Sequence, residues 1–192
     1  EVFGEELDRL FSEPFELLLG RRTYEIFAAY WPHVTEGEDN AIAGTFNGAT
    51  KHVATRSLDS LDWQGSVILR DAARDVARLK SGTGPMLLTQ GSADLAQTLL
   101  EHGLIDELVL FTFPILLGQG KRLFGPGIQA AAFELIRSRT SPKGILCATY
   151  RQNGKVRTED HGMHPPPKAE LDRREKLARE GGVALAPHFV NV

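Results

Sequence analysis

Phe15-Glu16-Leu17-Leu18-Leu19-Gly20-Arg21-Arg22-Thr23-Tyr24-Glu25 is a short apolar run that stops at a glycine and passes straight into two arginines and a threonine. Phe15 to Leu19 has the length of a buried strand and is too short for a helix. Thr23 is a good N-cap for a helix over Tyr24 to Tyr30, which Pro32 ends. The stretch therefore reads as strand, tight polar turn, helix.

Working outward, Val2, Phe3, Leu7, Leu10 and Phe11 recur at helical spacing ahead of that strand. Residues 35 to 50 are polar and contain a short helix. His52-Val53-Ala54-Thr55 and Ser66 to Leu69 read as short strands around a loop with Trp63 and Gly65. Asp71 caps a helix with Ala72, Val76 and Leu79 on one face. Pro85 to Thr89 is another buried strand, and Gln90-Gly91-Ser92 leads into a helix whose Leu95, Leu99 and Leu100 face the core. Leu108 to Leu117 reads as a long central strand, and Phe133 to Arg137 with Gly144 to Tyr150 as an antiparallel pair closing the sheet. The alternation predicts an α/β fold with a mixed, mostly parallel central sheet flanked by helices, over residues 1–157. From Thr158 the composition shifts to histidines and Pro165-Pro166-Pro167, then a charged helix, Lys168 to Glu180. Residues 158–192 are expected to be a linker and a peripheral helix.

A chain of 192 residues can bury one sizeable core. With 42% hydrophobic and 24% charged residues and a net charge of −3, it has no global attraction to nucleic acid or anionic lipid. Any anion site must be local. Cys147, the one cysteine, sits in an apolar stretch, which implies a buried thiol and a reducing compartment. The acidic start lacks the basic and apolar parts of a signal peptide, and the longest apolar run is about half of the ~20 residues a membrane helix needs. A cytoplasmic chain is expected, with no membrane or nucleic-acid partner.

Three turns could hold chemistry. Gly20-Arg21-Arg22-Thr23 offers backbone N–H groups and two guanidinium forks at a helix start, where cations are unfavourable unless an anion docks there. Those arginines could equally pair with surface carboxylates such as Glu25. Thr55-Arg56-Ser57 places two hydroxyls and a guanidinium at the carboxyl end of the next strand, a set that suits a monophosphate and also suits an ordinary polar turn. Gln90-Gly91-Ser92 permits close backbone approach at Gly91, with Ser92 as N-cap or phosphate donor, although Asp94 opposes an anion. Other motifs fail. Gly118-Gln119-Gly120-Lys121-Arg122-Leu123 has Leu123 where a dinucleotide fingerprint needs its third glycine. His161 and His164 lack further ligands, so no metal is expected. Hydrolase chemistry has no support, because no Gly-x-Ser-x-Gly elbow occurs and a lone apolar cysteine is a poor nucleophile.

Leu17 to Glu25, Ala54-Thr55-Arg56-Ser57-Leu58, Leu87 to Ser92 and Asp106 to Phe124, in that order, closely resemble the dihydrofolate-reductase-like proteins related to the reductase domain of the bacterial bifunctional riboflavin-biosynthesis deaminase-reductase. The similarity covers about residues 1–155. It implies the dihydrofolate-reductase-like three-layer fold and an NADPH-dependent oxidoreductase acting on a small molecule. By the resemblance, Gly20, Arg21, Arg22 and Thr23 would hold the NADPH phosphates. Thr55, Arg56 and Ser57 would surround the adenosine 2′-phosphate, and Gln90, Gly91, Ser92 and Leu95 would lie against the pyrophosphate. Relatives begin with a strand and an acidic loop that line the nicotinamide and substrate pocket, and the sequence given starts after that point. Neither the proton donor nor the substrate contacts are therefore assigned.

The expected reaction is hydride transfer to a C=N or C=O carbon of a small substrate, with heterocyclic and sugar-linked compounds as candidates. Two alternatives stay open: a non-catalytic NADP(H)-binding protein, and a stand-alone riboflavin-pathway reductase. A fused zinc deaminase would need a Cys-x-x-Cys, which one cysteine cannot provide. The apolar 108–117 run and the polar tail point to a homodimer.

Overall fold

The computed structural model describes residues 2–125, 128, 130–156 and 167–180. They fall into two units, residues 1–155 and 156–192. In the first unit, α1 (Val2–Phe11) leads to β1 (Phe15–Gly20), α2 (Arg21–Tyr30), a 3-10 turn (Trp31–His33) and α3 (Asn40–Gly48). Next come β2 (Lys51–Ala54), β3 (Ser66–Leu69), α4 (Ala72–Lys80), β4 (Met86–Leu88) and α5 (Ala93–Glu101). The unit closes with β5 (Glu107–Thr112), β6 (Phe133–Thr140) and β7 (Leu146–Gln152).

The first four strands form a parallel sheet in the order β3-β2-β1-β4. Parallel sheets are covered on both faces, and the alternation along β1 shows how. Leu17 and Leu19 point into one cluster with Tyr24, Phe46, Val53 and Trp63, completed by Phe11, Phe27 and Trp31 of the flanking helices. Leu18 points the other way, onto Leu69, Val76, Leu95 and Leu99. The first unit is thus helices, sheet, helices in three layers. Phe46 is the hub of the first cluster, with ring centroids of Phe11, Phe27 and Trp31 at 5.3, 5.7 and 5.0 Å, a spacing at which aromatic pairs add to simple burial.

β5, β7 and β6 form a second, antiparallel sheet in the order β5-β7-β6, with an irregularity between Leu135 and Arg137. Among the described residues β4 and β5 each carry a ladder on one side only. Glu6 of α1 is 4% exposed and bridges Arg9 at 2.6 Å and Arg137 of β6 at 3.4 Å, which ties the first helix to the antiparallel sheet. Cys147 is a free, buried thiol. Burial, followed by the nearby Glu6 carboxylate, pushes its pKa up.

Two sequence expectations change. The helix after β1 begins at Arg21, with Gly20 as N-cap, so Thr23 lies inside its first turn. The run from Leu108 does not continue to Leu117 as a central strand. β5 stops at Thr112 and has one neighbour, because Pro114 has no N–H to give a ladder and the chain turns at Gly118, φ +70°.

In the second unit, α6 (Lys168–Arg179) is a charged helix without a buried residue. Arg173 and Arg174 hold the Glu170 carboxyl down at about 2. His161, His164 and the first two prolines of the linker lie outside the described residues. No helix among the described residues is long and apolar enough to cross a membrane.

Candidate functional site

The strand order fixes where a cleft must open. The chain leaves β1 through α2 and moves outward to β2 and β3, then returns through α4 to place β4 on the other side of β1. The order therefore reverses between β1 and β4, and ligands of open α/β sheets bind at the carboxyl ends of strands at such a switch point. α2 and α5 follow these two strands and pack on opposite faces. Leu88 of β4 pairs with Leu17, three residues short of Gly20, so Thr89 to Ser92 climb beside the end of β1.

That climb ends in a tether. Ser92 Oγ accepts a hydrogen bond from the Gly20 N–H at 2.8 Å and donates one to Thr23 Oγ1 at 2.7 Å. Ser92 has φ +63° and is the one non-glycine with positive φ among the described residues, a conformation costly for an ordinary L-residue. A Cβ at Gly20 would sit 3.1 Å from Ser92 Oγ and 3.2 Å from its Cβ. Glycine is needed there for close approach, and at Gly91 for its own φ of +70°.

The tether leaves both helix starts open. Gly20 has no side chain to cap α2, and the Ser92 hydroxyl is turned to Gly20 and Thr23 instead of capping α5. α4 is the contrast. Asp71 accepts from Arg74 N–H at 3.1 Å and Asp75 accepts from Asp71 N–H at 3.1 Å, so α4 has the side-chain cap that α2 and α5 lack. Uncapped first-turn N–H groups carry the partial positive charge that attracts anions, and here two such ends flank one switch point.

The side chains sort themselves around it. Arg21 pairs with Glu25 at 3.5 Å, both about half exposed, so one of the two arginines takes the carboxylate. Arg22, Arg56 and Ser57 are exposed and have no side-chain partner among the described residues. Thr55 is buried, and its Oγ1 accepts from the Ser57 and Leu58 N–H groups at 3.3 and 3.2 Å, which shapes the turn. Gln90 is half-buried and Asp94 exposed, while Leu95 is buried in the core under α5 and fixes that helix through packing. One cation escaped sequence reading. Arg70, at the end of β3, reaches the Thr55 carbonyl at 3.4 Å and Asp59 at 3.3 Å. A single arginine after a strand has no local pattern to mark it, and the β2–β3 register alone reveals it.

Beyond these turns, the loop after β2 is pinned to the helices. Trp63 N–H donates to Tyr24 Oη at 3.1 Å and Trp63 Nε1 to Asn47 Oδ1 at 2.8 Å. Beneath it Lys51 is fully buried, donating to the Asn47 and Gln64 carbonyls at 2.7 and 2.9 Å, with the Trp63 ring centroid at 4.4 Å. Burial lowers its pKa to about 8. A cleft of about 740 Å³ lies between α2 and this loop. Its ionisable lining is Glu25, His33 and Asp62, and none of Gly20, Arg21, Arg22, Thr23, Gly91 or Ser92 lines it.

This architecture, a three-layer α/β fold whose parallel sheet has a topological switch point between β1 and β4, is that of the dihydrofolate-reductase-like proteins. Residues 4–147 match the RibD C-terminal domain family, and the chain belongs to it. Its relatives include the uncharacterized protein YyaP of Bacillus subtilis (strain 168), 27% identical over 139 residues, covering 72% of this chain and 74% of that protein. Similar folds include a putative riboflavin biosynthesis protein from Shewanella sp. PV-4 (TM-score 0.57, 23% identity, 72% of this chain and 73% of that one). Dihydrofolate reductase from Enterococcus faecalis complexed with NADP(H) and RAB-propyl is another (TM-score 0.53, 14% identity, 79% and 82%).

Proposed function

We propose that the protein is an NADPH-dependent reductase that delivers a hydride to a C=N or C=O carbon of a small substrate. The observation that carries this reading is the pair of uncapped helix N-termini at the switch point, held together by Ser92 and accompanied by Arg22 and Arg56, which have no side-chain partners among the described residues. Four features fit one dinucleotide: two open helix starts for a pyrophosphate, a glycine turn for close approach, and an arginine turn one strand away for a further phosphate. The family and the NADP(H) complex of the Enterococcus enzyme support the same choice of cofactor.

When bound, the nicotinamide supplies the hydride. The chain's own work is placement. Backbone N–H groups of α2 and α5 bind the pyrophosphate, Arg22 adds charge to it, and Arg56 with Ser57 takes the ribose phosphate. The Ser92 tether keeps the two helix starts at a fixed separation, so the cofactor meets a preorganised cradle and little ordering remains to be done on binding.

Equilibrium titration with NADPH and NADH tests this. Saturable NADPH binding about tenfold or more tighter than NADH, weakening as salt rises, is expected from a guanidinium–phosphate contact. Turnover of NADPH with any member of an imine and carbonyl panel then separates a reductase from a protein that only binds the dinucleotide. Absence of saturable binding by either nucleotide would overturn the reading.

A further inference from the structure

We infer that the cleft between α2 and the loop after β2 is a binding site for an ammonium group carried on an apolar body, and that filling it strengthens cofactor binding through Glu25. The coupling, though not the site itself, rests on the reading of the open helix starts as an NADPH cradle. The cleft holds about 740 Å³, within the range of small-molecule sites. Two carboxylates, Glu25 and Asp62, line it, and no lysine or arginine among the described residues does. Ala28, Pro32 and Leu58 give it an apolar wall.

The end of α2 adds to the negative field. Its last turn has no basic residue, so the partial negative charge of the helix C-terminus is unopposed by the helix's own side chains. Trp31 gives its N–H to the Phe27 carbonyl and Pro32 has none to give, which leaves the Ala28 carbonyl without a helical donor. Ala28 and Pro32 both line the cleft. Lys51 touches this lining from the protein side, fully buried. Its ammonium is held there by the Asn47 and Gln64 carbonyls, at 2.7 and 2.9 Å, and by the Trp63 ring.

Glu25 is shared between the cleft and the cradle. It lines the cleft, and it pairs with Arg21 across one turn of α2 at 3.5 Å, with both side chains nearly half exposed. Such a pair is solvated and weak. An ammonium in the cleft draws the Glu25 carboxylate toward itself and Asp62, which releases Arg21 at the open start of α2 for a cofactor phosphate. By linkage, bound cofactor strengthens cation binding by the same factor.

Benzylammonium is the probe and benzyl alcohol its uncharged counterpart, each titrated calorimetrically into the whole chain at fixed ionic strength, without and with NADPH. Saturable binding of benzylammonium and none of benzyl alcohol is expected. Saturating benzylammonium should tighten NADPH about two- to fivefold, the range that an exposed ion pair sets. Asp62→Asn should weaken the probe several-fold and leave NADPH, measured alone, within about twofold. Glu25→Gln should weaken the probe, tighten NADPH measured alone, and abolish the coupling. Equal binding of benzyl alcohol, or benzylammonium binding that neither variant weakens, would overturn the site, and coupling that survives Glu25→Gln would overturn its route. A native chain that binds benzylammonium in an Asp62-dependent way but binds neither NADPH nor NADH would keep the site and remove the cradle together with the coupling.

Discussion

The Ser92 hydroxyl accepts the N–H of Gly20 at 2.8 Å, and a Cβ on residue 20 would come within 3.1 Å of that same oxygen. Two turns 72 residues apart in sequence are thereby one structural object. Ser92→Ala leaves the Gly20 N–H without its acceptor, which costs about 1–3 kcal/mol if water does not replace it. Gly20→Ala forces the turns apart by a few tenths of an ångström, against a neighbour fixed by the buried Leu95, and overpacking of this kind costs about 1–3 kcal/mol. Both variants should lower the denaturation midpoint and weaken NADPH and NADH together. A variant with native stability and native affinity would show that the tether positions nothing.

Gly91 separates two effects that a bulky substitution would confuse. Its φ is +70°, yet a Cβ there meets nothing within 4 Å. Inside the protein the demand is conformational, and the space beside it is open to a ligand. Gly91→Val should therefore lose both stability and NADPH binding. Gly91→Asn tolerates the left-handed region and should stay close to native stability, but still lose NADPH affinity if the pyrophosphate lies against residue 91. Thermal melts alongside titrations distinguish the two, and Gly91→Asn binding NADPH normally would move the pyrophosphate elsewhere.

Lys51 makes stability depend on alkaline pH. Burial lowers its pKa from 10.5 to about 8, so between those values the unfolded chain binds more protons at this site than the folded one. Unfolding free energy gains a contribution that rises with pH through this window and is flat below about pH 8, where both states are protonated. At about 1.4 kcal/mol per pH unit the full swing is about 3 kcal/mol. Lys51→Met should flatten the profile between pH 8 and 10.5 relative to the native chain, while leaving the Asn47 and Gln64 carbonyls without their donor. Chemical denaturation across that range is the measurement, and parallel profiles would refute the assignment.

Much of this was legible in the sequence for a local reason. β1, β3 and β4 are short, mostly apolar runs that stop at glycine or polar turns, β2 is marked by Val53 and Ala54 ahead of its polar turn, and α4 and α5 show their apolar faces at helical spacing. What escaped depends on tertiary contact. Nothing near Ser92 in the sequence indicates that its hydroxyl serves Gly20 instead of its own helix, and Arg70 gains its place from strand pairing. The apolar pattern overruns the strand after Leu108, because hydropathy continues through Phe113 to Leu117 whereas the ladder ends with Thr112.

That continuation carries the last prediction. Phe113, Ile115, Leu116, Leu117 and Phe124 are all at least half exposed, and Leu116 is fully so, in a segment without regular structure after β5. Clustered apolar exposure of this kind marks association surfaces, whereas scattered single residues do not. We expect the chain to be a homodimer that uses this segment, since a two-fold contact brings the same apolar patch against itself. Because Leu116 and Leu117 contribute little to the core, replacing both with aspartate should leave the melting temperature nearly unchanged and place two charges on each side of the contact. Light scattering at micromolar concentration should then give twice the 21.1 kDa chain mass for the native protein and the single-chain mass for the double variant. A native chain already at the single mass would rule out the dimer. A double variant that stays dimeric would place the interface on another surface.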